Sequence, residues 1–423
     1  MQTIVKQTPL NAWHRRQGAN MADFGGYDMP LWYSSVKDEH LAVLTGAGIF
    51  DTSHMAAVSV YGAGAADLLQ ACFTNNLEAC VGPARKPLSP GRCVYGAFLD
   101  ENGCSVDDAI VFLLAAGHYM VVVNAGMGAT VADHLRRHQG GRDVVIDDLT
   151  DRLGKMDVQG PAAAKVLAPL LADPAAVLRN MPYFSFKGDW DAASPRADAV
   201  RLADGTPILL SRTGYTGEFG FEIFLAPDRL QPLWDHLLTT GQAFGVRACG
   251  LAARDSLRAG AMLPLSHQDI GHWPFINHPW PFALPFNADQ TGFTKDFIGR
   301  QALENLTDVS FTHAFVGSDL RKVTAGADSR VIDADGRTIG HVLTCVTDMG
   351  IGMHDGAIVS VASPDRPAGF KAKGLCCGFV RVDRKLNPGQ HVDIADARRK
   401  LAVTIVTDIR PHRTARKPMK AMI

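Results

Sequence analysis

Three stretches of the chain carry residues whose types and spacing could do chemistry. Residues 211–224 read SRTGYTGEFGFEIF, and Glu222 lies between two bulky apolar residues in a strand-like run entered through the turn Gly214-Tyr215-Thr216-Gly217. Further along, Arg254 sits in the helix-like CGLAARDSLRAGAML, with Asp255 and Arg258 nearby. An ion in apolar surroundings is costly unless a partner or a ligand compensates it. A carboxylate and a guanidinium facing one cavity recognise a planar heterocycle that offers both N–H donors and a carbonyl acceptor, through charge-assisted and bidentate hydrogen bonds. The plainer alternatives are an outward-facing Glu222 and an Arg254 paired with Asp255 or Glu222. The third stretch, ENGCSVDDAIVFLL, opens a strand with Asp107 and Asp108 behind a turn at Asn102-Gly103. Neighbouring strand residues face opposite sides, so at most one acid of the pair is expected to point into a given cavity.

These groups need a scaffold that sets a strand, a turn and a helix around one space. Strand-like alternation in AAVSVYG, DAIVFLL, HYMVVVNA and GFEIFLA mixes with helix-like GAADLLQACF, GATVADHLRRH and DRLQPLWDHLLTTGQAFG, without regular β-α alternation and without a repeat. The expected class is α+β. VSVYGAGAADLLQ runs a strand into G-A-G and a helix, but Asp67 holds the place of the third fingerprint glycine, so a simple strand-to-helix turn is expected there. Composition changes near residue 306. From there short strands are broken by turns at Asp335-Gly336 and Pro388-Gly389, which predicts an all-β barrel or sandwich over 306–423 behind a larger region over 1–305. The stretch RPHRTARKPMKAMI carries five Lys or Arg and no acid, and reads as a solvated tail or as a contact for an anionic substrate tail or acidic partner.

At 423 residues, 47% hydrophobic and 20% charged, the chain can bury a large core in two or three domains. Forty-two basic against forty-three acidic side chains leave a net charge of −1, which provides no electrostatic footprint for nucleic acid or an anionic membrane. A small partner is expected. No run is long and apolar enough to span a bilayer, and MQTIVKQTPLNAWHRRQGAN has no apolar core before a cleavage site, so the expected location is cytoplasmic. The eight cysteines are scattered, with Cys376 and Cys377 adjacent in GLCCGFVRV and expected on opposite faces of a strand. His267, His272 and His278 have no accompanying ligand cluster, and no metal site is expected.

SRTGYTGEFGFEIF, together with FGGYDMPLWYSSVKDEHLAVLTGAGIFDTSHM (24–55), GCSVDDAIVF, MVVVNAG (120–126), VQGPAA (158–163), GLAARDSLRAG and DFIGRQAL, resembles the aminomethyltransferase (T-protein) family of the glycine cleavage system and its folate-dependent relatives. The matches follow one order along nearly the whole chain. The resemblance implies a three-domain cloverleaf around a central cavity that receives tetrahydrofolate, with residues 1–305 as two interleaved α+β subdomains and 306–423 as a barrel-like domain. It implies that Glu222 and Arg254 hold the pterin, that Tyr215, Asn124 and Met55 line the pocket, and that Asp108, or else Asp107, is the essential acid. The glycines of the GYTG turn are expected to let the backbone approach the ligand.

The chain departs from the family where the one-carbon donor is expected. The family helix continues from R-D-x-L-R into L-E-A-G-M, whereas Ala259 and Gly260 stand here for the leucine and glutamate. The following segment INHPWPFALPFNADQTGF (276–293) is rich in aromatics and proline. Trp273, Trp280 and Phe282, with Phe275 and Phe286, could surround a methylated cation or simply pack. The resemblance therefore implies a tetrahydrofolate-dependent aminomethyltransferase fed by a lipoyl carrier protein. Its alternatives are a demethylase of a small methylated donor (dimethylsulfoniopropionate, betaine, methylamine or methoxy-aromatic type) and, further off, a non-catalytic folate-binding factor for iron–sulfur assembly. That last branch carries a K-G-C-Y-x-G-Q type signature, which is absent here.

Overall fold

In GKMDVQ, residues Gly154–Gln159, Met156 and Val158 alternate with Lys155, Asp157 and Gln159, and a period of two sends the two sets to opposite faces. This strand lies inside a six-stranded sheet of order 186–188, 209–211, 220–225, 154–159, 48–51 and 247–248. The computed structural model describes residues 5–306 and 309–423. One face of the sheet carries Met156, Val158, Phe221 and Ile223 and is covered by the helix Leu230–Thr240 through Leu233, Trp234 and Leu237. From the other face, Leu209 and Phe224 meet Phe112, Met120 and Val122 of a five-stranded sheet ordered 93–99, 105–115, 118–123, 56–61 and 145–148. The outer side of that second sheet, with Val58, Val111 and Val121, packs on the helices Ala65–Cys72 and Gly128–Arg137. The result is four layers, helix, sheet, sheet, helix, with the polar row of residues 154–159 turned toward the space between the sheets.

Strands 311–317, 375–382, 338–348, 326–332, 391–395 and 400–406 close into a six-stranded barrel, as the C-terminal pattern of short strands and turns predicts. Cys376 and Cys377 do lie on opposite faces of its strand Leu375–Val382, each in a different apolar cluster. Segment 270–303 is wedged between the barrel and the edge strand Cys93–Leu99, joining Ala97 and Leu99 to Cys377 and Phe379 in one cluster.

The basic stretch near residue 410 is not a solvated tail. Arg410 is fully buried, with the Asp348 carboxylate 2.6 Å away and the Thr216 carbonyl also accepting from it. Beyond it the Phe219 N–H donates to Thr414 Oγ1 at 2.8 Å, Arg212 donates to the Ala415 carbonyl at 2.9 Å, and Met419 and Met422 enter the apolar cluster of the six-stranded sheet. A charge count could not foresee this, because the compensating acids Asp348 and Glu218 are remote in sequence.

Candidate active site

The polar face of the six-stranded sheet has its own internal order. Strands Gly154–Gln159 and Gly220–Leu225 run antiparallel with Asp157 opposite Glu222, so their carboxylates lie on one face. The Lys155 ammonium donates to Asp157 Oδ1 at 2.9 Å and to Glu222 Oε1 at 2.5 Å, and the Thr213 hydroxyl donates to Glu222 Oε2. Thr52 Oγ1 donates to Asp157 Oδ1 at 3.0 Å. Arg254 reaches in from the helix Leu251–Gly260, whose first residue follows Gly250, itself tied by its N–H to Glu39 Oε2 at 2.9 Å. Arg254 Nη1 donates to Asp157 Oδ2 at 2.7 Å, and its guanidinium lies over the Tyr215 ring at 4.9 Å. Burial alone would raise Asp157, but Lys155 and Arg254 outweigh it and hold the carboxyl below its usual range. Asp255 turns away to pair with Arg258 at 2.7 Å.

The turn glycines also sit tightly against the rest of the protein. A side chain at Gly214 would strike the Gln159 amide, and Gly217, at φ +75°, brings the backbone against Ala261 and Arg413. Their close approaches are to the protein itself.

The acid pair differs from the expectation. Asp107 and Asp108 do not part to opposite surroundings, because the Asn124 amide nitrogen lies 2.8 Å from Asp107 Oδ1 and 2.6 Å from Asp108 Oδ1. Pairing to the third strand ends at Ala109–Val123, just short of the acids, so Asn124, the residue after that strand, is free to reach both. Asp107 is wholly buried and accepts also from the Asn124 N–H at 2.9 Å and the Ser266 hydroxyl at 2.8 Å. Asp108 accepts from the Tyr95 hydroxyl at 2.8 Å. Burial, and then the charge of Asp108, push Asp107 up to about 7. Burial raises Asp108 as well, against hydrogen bonds from Tyr95 and Asn124. The Tyr215 hydroxyl donates to the Pro264 carbonyl, which fixes the ring beneath Arg254.

The remaining candidates are dispersed. Met55 is half-buried against the intersheet cluster of Phe112, Met120 and Phe224. Trp280 is committed to the core, packing edge-on against Phe379, and its indole donates to the Met262 carbonyl at 2.8 Å. Trp273 holds the Arg381 guanidinium over its ring at 4.1 Å. Phe282 is 57% exposed and leans on Tyr95 at 5.8 Å, which leaves it facing solvent beside the acid pair. His267 comes within 3.7 Å of Asp107 Oδ1, whereas His278 stacks between Phe275 and Trp280. A surface cleft of about 1550 Å³ lined by Tyr61, His118 and Trp190 lies elsewhere and contains none of these residues.

Residue-by-residue reading missed Lys155, Asp157, Tyr95 and His54. The first two had a signal, the charged set alternating with Met156 and Val158. Tyr95 had none, since only strand register brings it beside Asp108. His54 lies beside Met55, buried with Nδ1 unpartnered, and burial followed by the charge of Arg254 lowers its ring to about 4.

Comparison with known proteins places this arrangement. Residues 10–273 match the family model described as the GCVT N-terminal domain. The chain is 35% identical over 343 residues to an aminomethyltransferase of Geobacillus sp. (strain WCH70), covering 81% of this chain and 86% of that protein. The chain belongs to the aminomethyltransferase family. Other aminomethyltransferases are similar at 38% identity in Streptomyces coelicolor, over 71% of this chain and 74% of that one, and at 32% in Bacillus subtilis, over 84% and 90%. The crystal structure of glycine cleavage system aminomethyltransferase T from Bartonella henselae superposes with a TM-score of 0.73 at 27% identity, covering 98% of this chain and 99% of that one. The fold is that of the aminomethyltransferases, and the protein is an enzyme of the transferase class. A Cβ at Gly260 would come within 1.9 Å of Asp348 Oδ2 and 2.7 Å of Arg410 Nη1, so a barrel carboxylate and its guanidinium fill the space beside this point of the helix.

Proposed function

We propose that the protein is a tetrahydrofolate-dependent aminomethyltransferase of the glycine cleavage type, taking its one-carbon unit from the lipoyl arm of a carrier protein and releasing ammonia. The observation that carries the reading is that two sheets packed face to face carry the Glu222–Asp157 row, which anchors Arg254, and the Asp107–Asp108 pair. The row fits a pterin. Arg254 spends one nitrogen on Asp157 and keeps further fixed N–H donors, while Glu222 offers acceptor capacity beyond Lys155 and Thr213. Bound tetrahydrofolate would supply the nucleophilic N5. Glu222 and Arg254 orient the ring, and Asn124 holds the two acids in place. Asp108 receives or relays a proton and stabilises the positive charge that develops on the transferred carbon. Holding both reactants adds a proximity term. The working compartment under this reading is the cytoplasm.

One observation favours a second reading. Phe282, exposed and leaning on Tyr95 beside the acid pair, offers an aromatic face that suits a small methylated cation and hence its demethylation. Purified protein is to be assayed with tetrahydrofolate against an aminomethyl-lipoyl carrier, dimethylsulfoniopropionate, betaines, methylamines and methoxylated aromatics. Turnover with the carrier supports the first reading; turnover with a methylated donor alone replaces it with the second. Failure to bind tetrahydrofolate ends both.

A further inference from the structure

The helix Ala65–Cys72 ends on a thiol, and the helix Gly128–Arg137 carries His134 one turn before His138, so both imidazoles lie along one side. One ligand atom from each of Cys72, His134 and His138 lies within 4.8 Å of the others. Cys72 and His134 are buried, and the His138 side chain is 26% exposed, so the cluster can be reached from solvent on one side only.

Two observations distinguish this cluster from ordinary packing. His134 Nε2 is buried with no hydrogen-bond partner, a state that folded proteins rarely tolerate. His138 Nδ1 lies 2.8 Å from the His134 carbonyl oxygen. A carbonyl only accepts, so Nδ1 carries a proton, and in the neutral ring Nε2 presents its lone pair. That lone pair faces another acceptor, Glu101 Oε1, at 3.3 Å. A proton on His138 Nε2 would satisfy the pair with Glu101 but leave His134 Nε2 orphaned; a cation satisfies both.

We propose that Cys72, His134 and His138 form a binding site for a borderline-soft divalent cation, Zn²⁺ foremost. A thiolate and two imidazoles are ligands of the zinc type and leave a fourth position open to water. The backbone carbonyl behind His138 is the outer partner that fixes a ligating tautomer. The ligands come from the helix Ala65–Cys72 and from the helix Gly128–Arg137 and the residue that follows it, so the ion would pin the two helices together.

The test uses the full chain, stripped with a chelator and titrated with ZnCl₂ by calorimetry, and with Co²⁺ as a coloured substitute. The expected result is one zinc per chain, with thiolate-to-cobalt charge-transfer absorption and tetrahedral d–d bands. Cys72→Ser should lose the charge-transfer band, and His138→Ala should weaken zinc binding by more than about 10-fold. His138 is partly exposed, so its replacement leaves the fold intact, as circular dichroism would check, and it decides the matter even if Cys72→Ser does not fold. No uptake by the stripped wild-type chain, or equal affinity in His138→Ala, overturns the proposal.

Discussion

Asp157 and Glu222 stand opposite each other across two antiparallel strands, two like charges held in register on a buried face. Left alone they would repel. The Lys155 ammonium between them turns the pair into an anchor for Arg254, and the position of the guanidinium therefore depends on a residue that need not touch any ligand.

Removing that ammonium should be costly. Lys155→Met leaves buried carboxylates uncompensated, and we expect a loss of about 3–5 kcal/mol in unfolding free energy by chemical denaturation, as for one partner taken from a buried ion pair. A loss under 1 kcal/mol, roughly the value of an exposed pair, would show that the row is open to water.

Glu222→Ala should weaken tetrahydrofolate binding by about 1.5–3 kcal/mol, the range for a hydrogen bond to a charged group. Calorimetry on the folded variant checks this. Unchanged affinity removes Glu222 from the pterin site and leaves it as a partner of Lys155 alone.

Asp108→Asn should lower turnover by roughly 10²-fold or more with a much smaller change in folate affinity. Asp107 accepts three hydrogen bonds from Asn124 and Ser266. Asp107→Asn is therefore expected to act chiefly by loosening Asn124, so that KM for tetrahydrofolate rises alongside the fall in turnover. If Asp107→Asn abolishes turnover while Asp108→Asn spares it, the roles are exchanged.

The acid pair should also leave a mark on pH dependence. Native Asp107 is lifted to about 7, by burial first and the charge of Asp108 second, whereas an unfolded aspartate titrates near ~3.9. The folded state binds the proton more tightly, so the contribution is fully present below about pH 4 and is lost as pH rises through about 7. Subtracting the Asp107→Asn stability curve from wild type should expose that falling slope. The apparent values belong to the pair rather than to one residue. Asp108→Asn removes the second cause and should shift the slope to lower pH.

Gly260→Glu should destabilise, because even its Cβ collides with the Asp348–Arg410 pair. Overpacking costs about 1–3 kcal/mol, and displacing the buried pair adds to it. The double change with Asp348→Gly should recover part of the loss, with a coupling of about 0.5–3 kcal/mol. Strict additivity would mean that the two positions do not share the space.

Much of this site could be read from residue order. Glu222 and Arg254 declared themselves as charges in apolar runs, and the short strands after residue 306 do close into a barrel. Local periodicity reports which face a side chain takes, but not what covers that face. Lys155, Asp157 and Gln159 have the alternation of a strand wetted on one side, and only the stacking of a second sheet makes that side an interior. The convergence of Asp107 and Asp108 rests on Asn124, which reaches both from the end of the neighbouring strand and which strict alternation cannot anticipate. Trp280 and Trp273 illustrate a third limit. Aromatic composition marks the segment, yet pairing with Phe379 and Arg381 belongs to contacts made far along the chain.

Leu10, Trp13, Met419 and Met422 belong to one apolar cluster. A ribosome emits the chain in order, so this cluster stays incomplete until residue 422 has emerged, and the barrel must form before the sheet beneath it is sealed. Nascent chains halted after the barrel strands should therefore expose the unsealed side of that sheet to chaperones, although every strand of the sheet has already been made.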